Sequence, residues 1–190
     1  MKKINRFPFL LPKPVAIVGA LVRGRPNFLT IADITTTGYQ IPRFVVSSGK
    51  GHYTNEGIIE NSCFSVNIPS EEMVALTDYF GIVSGHRVDK SADVEVFYGE
   101  ELKAAPMIKS AAITHACRLV QTVDFGDTHY LFIGEIVESY VNDEYLSETV
   151  PDIEKIKPFT YYYDNFYRKT GERLAQAYRA GKGLKKDHSL

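Results

Sequence analysis

The sequence predicts a mainly β protein, an antiparallel β-barrel with short helical insertions and a C-terminal helix. Apolar, β-branched runs recur along the chain and are separated by turn residues, which is typical of strands joined by hairpins. Regular alternation of strands with long helices, which a doubly wound parallel sheet requires, is absent. The length of 190 residues suits one domain with its own core. We expect that domain to cover residues 1–180, with 181–190 as a flexible tail.

The first strands follow from apolar runs and the turn residues between them. Residues 15–21 are apolar and β-branched, which predicts a buried strand. Residues 23–27 supply Gly, Pro and Asn for a turn into a second strand at 28–34. Residues 35–42 contain Gly and Pro breakers and are expected to form a loop. A third strand follows at 43–47.

The middle of the chain combines short helices with one more strand. Thr54 can cap a short helix over residues 55–61, and the alternating residues 64–68 predict a strand. Ser70, followed by two glutamates, begins a second helix, because Asp and Glu are favourable in a first helical turn. Residues 81–93 are polar and are expected to form a loop.

The longest strands and the last helix lie in the second half. Residues 113–124 and 128–142 flank Phe-Gly-Asp, which predicts a long hairpin. Residues 165–180 are expected to form the C-terminal helix.

Composition excludes several classes of protein. Hydrophobic residues make up 44% and charged residues 24%, which are globular values, and the net charge of −1 argues against a general binder of nucleic acid or anionic membranes. Two cysteines, Cys63 and Cys117, cannot form a disulfide framework and suit a reducing compartment. Prolines interrupt the apolar N-terminal stretch, and the run 15–22 is too short to span a membrane. We expect a cytoplasmic protein.

Residues 47–54, Ser-Ser-Gly-Lys-Gly-His-Tyr-Thr, form the clearest candidate site. Here a strand end, a flexible turn and a helix N-terminus bring hydroxyls, backbone N–H groups and the Lys50 ammonium together, which suits a phosphate monoester. The alternative is an ordinary strand-to-helix turn. A P-loop is excluded because Gly51 follows Lys50 where Ser or Thr is required. A dinucleotide-binding fold is disfavoured because the hairpins leave this strand–helix unit alone.

Two further groups of residues remain open. His115 and Cys117 share a strand face, but His129 is expected to lie opposite Asp124 on the other face, so no metal site is predicted. His129 itself can be a surface residue or approach a ligand. The aromatic residues between Tyr161 and Tyr167 can form core or a subunit interface, or a stacking platform for a flat ring.

Several segments together resemble the flavin reductase-like family, in particular its flavoredoxin branch. The most specific piece is 126–136, Gly-Asp-Thr-His-Tyr-Leu-Phe-Ile-Gly-Glu-Ile. Further pieces are Pro14-Val15, Asn27, Ser47-Ser48 with Thr54, the segment 60–69, the loop 81–90 that ends in Asp-Lys, and Tyr167 to Gly171.

The resemblance implies a fold, a cofactor and site residues. The fold is the FMN-binding split antiparallel β-barrel of Greek-key type, as a homodimer whose interface contributes to the flavin site. The implied cofactor contacts are Asn27, Leu29, Thr30, Ile31, Ala32, Ser47, Ser48, Lys50, Thr54 and Lys90. Residues 47–54 and Lys90 would hold the FMN phosphate, and the backbone of 29–32 the pyrimidine edge of the ring. His129 is a possible neighbour of the reacting face. No tryptophan stands near Asp33, whose carboxylate can accept from the flavin N3–H or point to water.

The implied function is an FMN-dependent oxidoreductase that passes hydride or electrons through its cofactor. The donor can be NAD(P)H or a small iron–sulfur protein. Two alternatives stay open: a non-catalytic flavin-binding sensor or storage protein, and an enzyme of the pyridoxine-phosphate oxidase type.

Overall fold

The computed structural model describes residues 1–126 and 128–181. The predicted tail falls almost wholly outside these residues. The strands in chain order are β1 (Ala16–Val22), β2 (Arg25–Ile31), β3 (Ile34–Thr37), β4 (Arg43–Gly49), β5 (Cys63–Ile68), β6 (Val96–Phe97), β7 (Met107–Ile108), β8 (Ile113–Asp124), β9 (His129–Val141), β10 (Leu146–Ser147), β11 (Val150–Pro151), β12 (Phe159–Tyr161) and β13 (Tyr167–Lys169). The helices are α1 (Thr54–Asn61), α2 (Val74–Ile82) and α3 (Ile153–Ile156).

Seven strands form one antiparallel sheet in the order β2-β1-β5-β8-β9-β4-β3. The sheet curls around one core, because buried side chains of β1, β2, β4, β5, β8 and β9 pack in a single cluster with Ile58 of α1. No hydrogen-bonded ladder in the described chain joins β2 to β3 or β4, so the barrel is split there. The predicted fold class, a mainly β split barrel, is confirmed.

A tight turn sets the β1–β2 hairpin. Arg23 and Gly24 have φ of 52° and 77°, the left-handed conformation that a two-residue hairpin turn requires. The resulting register places Asn27 opposite Ala20. The hairpin therefore carries Asn27 to the split side of the barrel, on the sheet's edge strand.

The outer face of the β1–β2 region is also buried. Phe28 and Phe80 stack with ring centroids 5.4 Å apart, and Ile17 joins them beneath α2. Since one face of β1 and β2 packs into the barrel and the other against α2, β1 is apolar along its whole length, and β2 is buried from Asn27 to Leu29 and at Ile31. The position of α2 in turn fixes the loop that follows it.

The long β8–β9 hairpin is confirmed, but its register differs from the prediction. Asp124 pairs with Tyr130 and not with His129. Irregularities in the ladder after Ala116 and after Leu119 break strict alternation, and as a result both Ala116 and Cys117 are buried.

The predicted C-terminal helix over residues 165–180 is wrong. Tyr167–Lys169 is instead a strand that pairs with Phe159–Tyr161 through a turn at Asn165, whose φ is 64°. Tyr, Phe and Thr favour a pleated surface, which explains the hairpin. A helix beyond it would lack a partner, because Leu174 and Tyr178 are almost fully exposed.

Two further boundaries differ. Residues 35–37, expected at the start of a loop, instead form the sheet strand β3 together with Ile34, since a threonine run has high β propensity. Strand β4 continues to Gly49 rather than ending at Ser47. No helix in the described part of the chain has the length and apolar character that crossing a membrane demands.

Candidate functional site

The turn between β4 and α1 is held by its own side chains. The Ser48 hydroxyl donates to Asn55 Oδ1 at 2.7 Å, and Asn55 Nδ2 donates to the Gly49 carbonyl at 2.8 Å. A hydroxyl carries one hydrogen, so His52 Nδ1, 3.0 Å from Ser48 Oγ, must be the donor of that contact. Ser48 therefore shapes the turn, and in this conformation it has no hydrogen left for a phosphate.

Ser47 and Ser48 do not face the same point. Alternate residues of β4 are buried, and Ser48 points into the barrel with Phe44 and Val46. Ser47 faces outward, beside Val45. The expectation that both serines hold one phosphate is therefore not met, because successive residues of a strand face opposite sides.

Thr54 is the hydroxyl best placed for an anion. It is the first residue of α1, is 1% exposed, and accepts a hydrogen bond from Asn27 Nδ2 at 2.7 Å. Since Asn27 fills the acceptor role, the hydroxyl hydrogen of Thr54 is free to donate, and no described residue accepts it. The helix N-terminus adds its partial positive charge at the same point.

A polar cavity of about 290 Å³ opens beside Asn27. Its lining consists of Arg25, Pro26, Asn27, Tyr53, Gly85, His86, Arg87, Val88, Asp89 and Lys90. Gly85 is required here, because a Cβ atom would lie 2.1 Å from Asn27 Oδ1. The Tyr53 and His86 rings lie 4.4 Å apart at one side of the cavity.

Arg25, His86 and Arg87 are site residues that the sequence reasoning missed. Arg25 lies in a hairpin and Arg87 in a polar loop, where basic residues are usually solvated. The only available sign was the number of cations near Asn27 and Lys90 in the sequence; the contact between the hairpin and the loop is a tertiary feature.

Lys90 is buried and tethered. The residue is 2% exposed, and its ammonium donates to the carbonyls of Phe28 at 2.9 Å and Phe80 at 2.8 Å. Burial lowers its pKa to about 8. Lys90 thus fastens its loop to β2 and α2, and of its three N–H donors one remains for a ligand in the polar cavity.

The surroundings of His52 are electropositive. Burial lowers the pKa of His52, and the nearby charges of Lys90 and His129 lower it further. His129 lies directly across the ladder from Gly49. Lys90 and His129 thus both disfavour a proton on His52, and a dianion placed beside them would be attracted to this positive charge.

Lys50 connects the turn to the tip of the β8–β9 hairpin. Its ammonium lies 2.6 Å from Asp124 Oδ1, bonds the Gly126 carbonyl, and stands 4.7 Å from the centre of the Tyr130 ring. The hydrogen bond from Lys50 lowers the pKa of the Asp124 carboxyl. Asp124 balances much of the Lys50 charge, so Lys50 orders this edge of the site as well as adding a cation to it.

The other predicted contacts lie further along β2. The side chains of Leu29 and Ile31 point into the core, and Thr30 Oγ1 donates to the Thr77 carbonyl at 2.5 Å. Only the backbone N–H and C=O groups of this segment are therefore available to a ligand, and they lie on the edge of β2 that faces the split. Ala32 follows where the strand ends.

A second, mostly apolar cavity of about 280 Å³ lies at that end of β2. Its lining consists of Pro8, Leu10, Pro12, Lys13, Pro14, Ala32, Asp33, Ile34, Thr35, Val45, Ser47, Leu131 and Tyr163. Asp33 forms an ion pair with Lys13, and its carbonyl accepts from the Ser47 N–H at 2.8 Å. The Asp33 carboxylate is thus paired with Lys13, although its side chain stays exposed to water.

The aromatic residues between Tyr161 and Tyr167 contact two different parts of the N-terminal segment. Tyr163 lines the apolar cavity, packs with Phe7 and Phe9, and donates to the Pro8 carbonyl. Tyr161 bonds the backbone of Lys13 in both directions. The cluster therefore fastens the N-terminal segment over the cavity. Within residues 1–126 and 128–181 no three potential ligands are grouped to hold a metal ion.

This chain is similar in sequence and in fold to proteins that are already known. The model of the flavin reductase like domain matches residues 9–170. The crystal structure of flavoredoxin from Methanosarcina acetivorans is 44% identical, with 97% of this chain and 99% of that chain covered and a TM-score of 0.92.

Two further proteins are similar to this chain. Flavoredoxin of Desulfovibrio vulgaris (Miyazaki F) is 32% identical, with 96% and 100% of the two chains covered and a TM-score of 0.86. The reductase component of an FADH(2)-dependent resorcinol hydroxylase from Rhizobium sp. is 24% identical over 135 residues, which cover 70% of this chain and 73% of that protein.

Proposed function

The chain belongs to the flavin reductase-like family, and we propose that it is an oxidoreductase that transfers hydride or electrons through bound FMN. One observation carries the choice of FMN: the polar and the apolar cavity both border β2, at Asn27 and at Ala32. Five residues of strand separate them by roughly 16 Å. A phosphate joined to a flat ring by a five-carbon chain has this arrangement of polar and apolar ends.

The polar cavity suits the phosphate. Lys90, in the lining of the cavity, offers one N–H, and Thr54, hydrogen-bonded to Asn27 beside it, offers a hydroxyl hydrogen. Arg25 and Arg87 add charge at the rim. Charge-assisted hydrogen bonds of this kind are the stronger ones, so this end would supply much of the affinity.

The apolar cavity suits the ring. Leu131, Pro12 and Tyr163 offer apolar surface, and the free backbone edge of residues 29–32 offers N–H and C=O groups to a pyrimidine edge. Lys13, held by Asp33, would place a positive charge near that edge. A cation there stabilises negative charge that develops on a reduced ring.

FMN, when bound, supplies the redox chemistry, since it accepts a hydride or electrons and passes them on. The protein's part is binding, orientation and electrostatics. The N-terminal segment, fastened by Tyr161 and Tyr163, would exclude water from one side of the ring. His129 borders the turn at Gly49 and is the candidate to approach the ring's reacting side.

The proposal also includes an electron donor, a cellular compartment and a homodimer. NAD(P)H or a small iron–sulfur carrier would reduce the flavin; the name of the Rhizobium relative, the reductase component of a hydroxylase, supports a reductase role. We place the protein in the cytoplasm, as its two unpaired cysteines suit. A homodimer is supported by Phe7, Phe9, Leu10 and Leu11, which are 44–79% exposed beside the apolar cavity.

Anaerobic reduction tests the proposal. Protein loaded with FMN is mixed in turn with NADH, NADPH and a reduced iron–sulfur carrier, and the flavin absorbance is followed. Bleaching much faster than that of free FMN with at least one donor supports an oxidoreductase. Bound FMN that stays inert toward every donor would support a flavin-binding sensor or storage protein instead.

A further inference from the structure

A third cavity, of about 440 Å³, lies at the opposite end of the β8–β9 hairpin. Thr114 and Tyr140 pair at this end, whereas Asp124 and Tyr130 pair at the end beside Lys50. Ten residues of strand separate the two ends, or about 33 Å. Within one chain this cavity is therefore separate from the candidate flavin site.

The floor of the cavity contains an unsatisfied hydroxyl. Thr114 lines the cavity and is 2% exposed, and among the described residues its Oγ1 has no hydrogen-bond partner. Buried hydroxyls are nearly always paired, because an unpaired one loses its hydrogen bonds to water without replacement. Ile108 and Ala111, the buried neighbours on the floor, are apolar and offer no side-chain partner.

The walls of the cavity are aromatic. The rings of Phe97 and Tyr140 meet edge to face, with centroids 5.5 Å apart and planes at 87°. The Tyr140 hydroxyl donates to Glu138 at 2.8 Å, so it is already engaged and the ring is what this residue offers the cavity. Such walls favour a flat aromatic ligand.

The mouth of the cavity disfavours anions. Glu95 and Asp143 each bring a carboxylate, and the one cation among the lining residues, Lys109, is held by Glu95 at 2.6 Å. The net charge of the residues at the mouth is therefore negative, whereas several cations line the polar cavity proposed for the phosphate. An anionic ligand would therefore be repelled.

We propose that this cavity is a second ligand site, which binds a small uncharged aromatic molecule through a hydroxyl group that pairs with Thr114. A ligand hydroxyl is both donor and acceptor, as is the threonine hydroxyl, so either hydrogen-bond direction satisfies both groups. The volume is in the range of natural small-molecule sites.

The test uses 2-naphthol as the probe and 2-naphthoate as its charged counterpart, at pH 7, on protein loaded with FMN and freed of excess. Amide chemical shifts are followed by NMR. We expect 2-naphthol to shift amides of residues 107–114 and 140–143 in a saturable manner, and 2-naphthoate to do so at least about tenfold more weakly. Shifts confined to other regions, or an equal response to both probes, would overturn the proposal.

Thr114→Val keeps the shape of the side chain and removes its hydroxyl. We expect it to fold and to bind 2-naphthol about tenfold more weakly, through the lost hydrogen bond. Thr122→Val, an exposed change on the same strand, serves as the control and should bind as the wild type does. If Thr114→Val binds 2-naphthol as the wild type does, the hydroxyl is not part of a ligand site. These readouts do not depend on electron transfer, so they stand or fall apart from the proposed function.

Discussion

Thr54→Val tests the phosphate end of the flavin site. Valine has nearly the shape of threonine, so the change removes the hydroxyl and little else. The wild-type hydroxyl accepts from Asn27 at 2.7 Å and keeps its hydrogen for a ligand. Loss of a hydrogen bond to a charged phosphate costs about 1.5–3 kcal/mol, which raises the Kd for FMN roughly ten- to 150-fold.

The same substitution also leaves Asn27 Nδ2 without its acceptor. Because Asn27 is buried, we expect the free energy of unfolding to fall by about 1–3 kcal/mol. Circular dichroism during urea unfolding measures this loss separately from binding.

Isothermal titration with FMN and with riboflavin separates the two effects. Riboflavin lacks the phosphate, so its Kd should change by no more than about threefold in Thr54→Val. Thr77→Val is the matched control, since Thr77 is buried and its hydroxyl has no partner among the described residues. It should bind FMN as the wild type does. An unchanged FMN affinity in Thr54→Val, or an equal loss for both ligands, would refute the phosphate assignment.

Three further predictions concern other residues. Glu138 accepts from the backbone N–H groups of residues 100–102 and from Tyr140, and these hydrogen bonds lower its pKa despite an opposing desolvation effect. Glu138→Gln should therefore unfold at lower urea, and the deficit should be full above pH of about 4.5, where the unfolded chain is ionised, and shrink as the pH falls from there through the lower folded-state pKa of Glu138. Lys90 has a folded-state pKa of about 8 against 10.5, so between these pH values the unfolded state binds more protons and wild-type stability rises with pH. The free energy of unfolding measured relative to Lys90→Met should follow that rise, and a flat difference would contradict it. Gly85→Ala would drive a Cβ into Asn27 and should weaken FMN binding. Gly51→Ala, with open space around its Cβ, should fold normally and serves as the control. Equal free energies of unfolding of the two variants would count against the packing described around Gly85.

The sequence was enough to predict most of the barrel. Runs such as residues 15–21 and 113–124 are β-branched and bounded by turns, and local chemistry decided their structure. The prediction of a C-terminal helix over residues 165–180 was wrong because such a helix would have no surface to pack against, as the exposure of Leu174 shows. Local pattern cannot reveal a missing partner.

The candidate site could be predicted only in part. Thr54 and Asn27 were identified, but their hydrogen bond depends on the packing of α1 against the β1–β2 hairpin. Strand parity alone would have separated Ser47 from Ser48. Arg25 and Arg87 line the same cavity only because the tertiary structure brings the hairpin and the loop together, and the sequence pattern does not predict that contact.

The most direct test of the central claim is the absorption spectrum of the purified protein, followed by identification of the chromophore released on denaturation. The account predicts a yellow protein that releases FMN, or a colourless one that turns yellow on addition of FMN and retains it through gel filtration. A colourless protein that binds neither FMN nor FAD would contradict it.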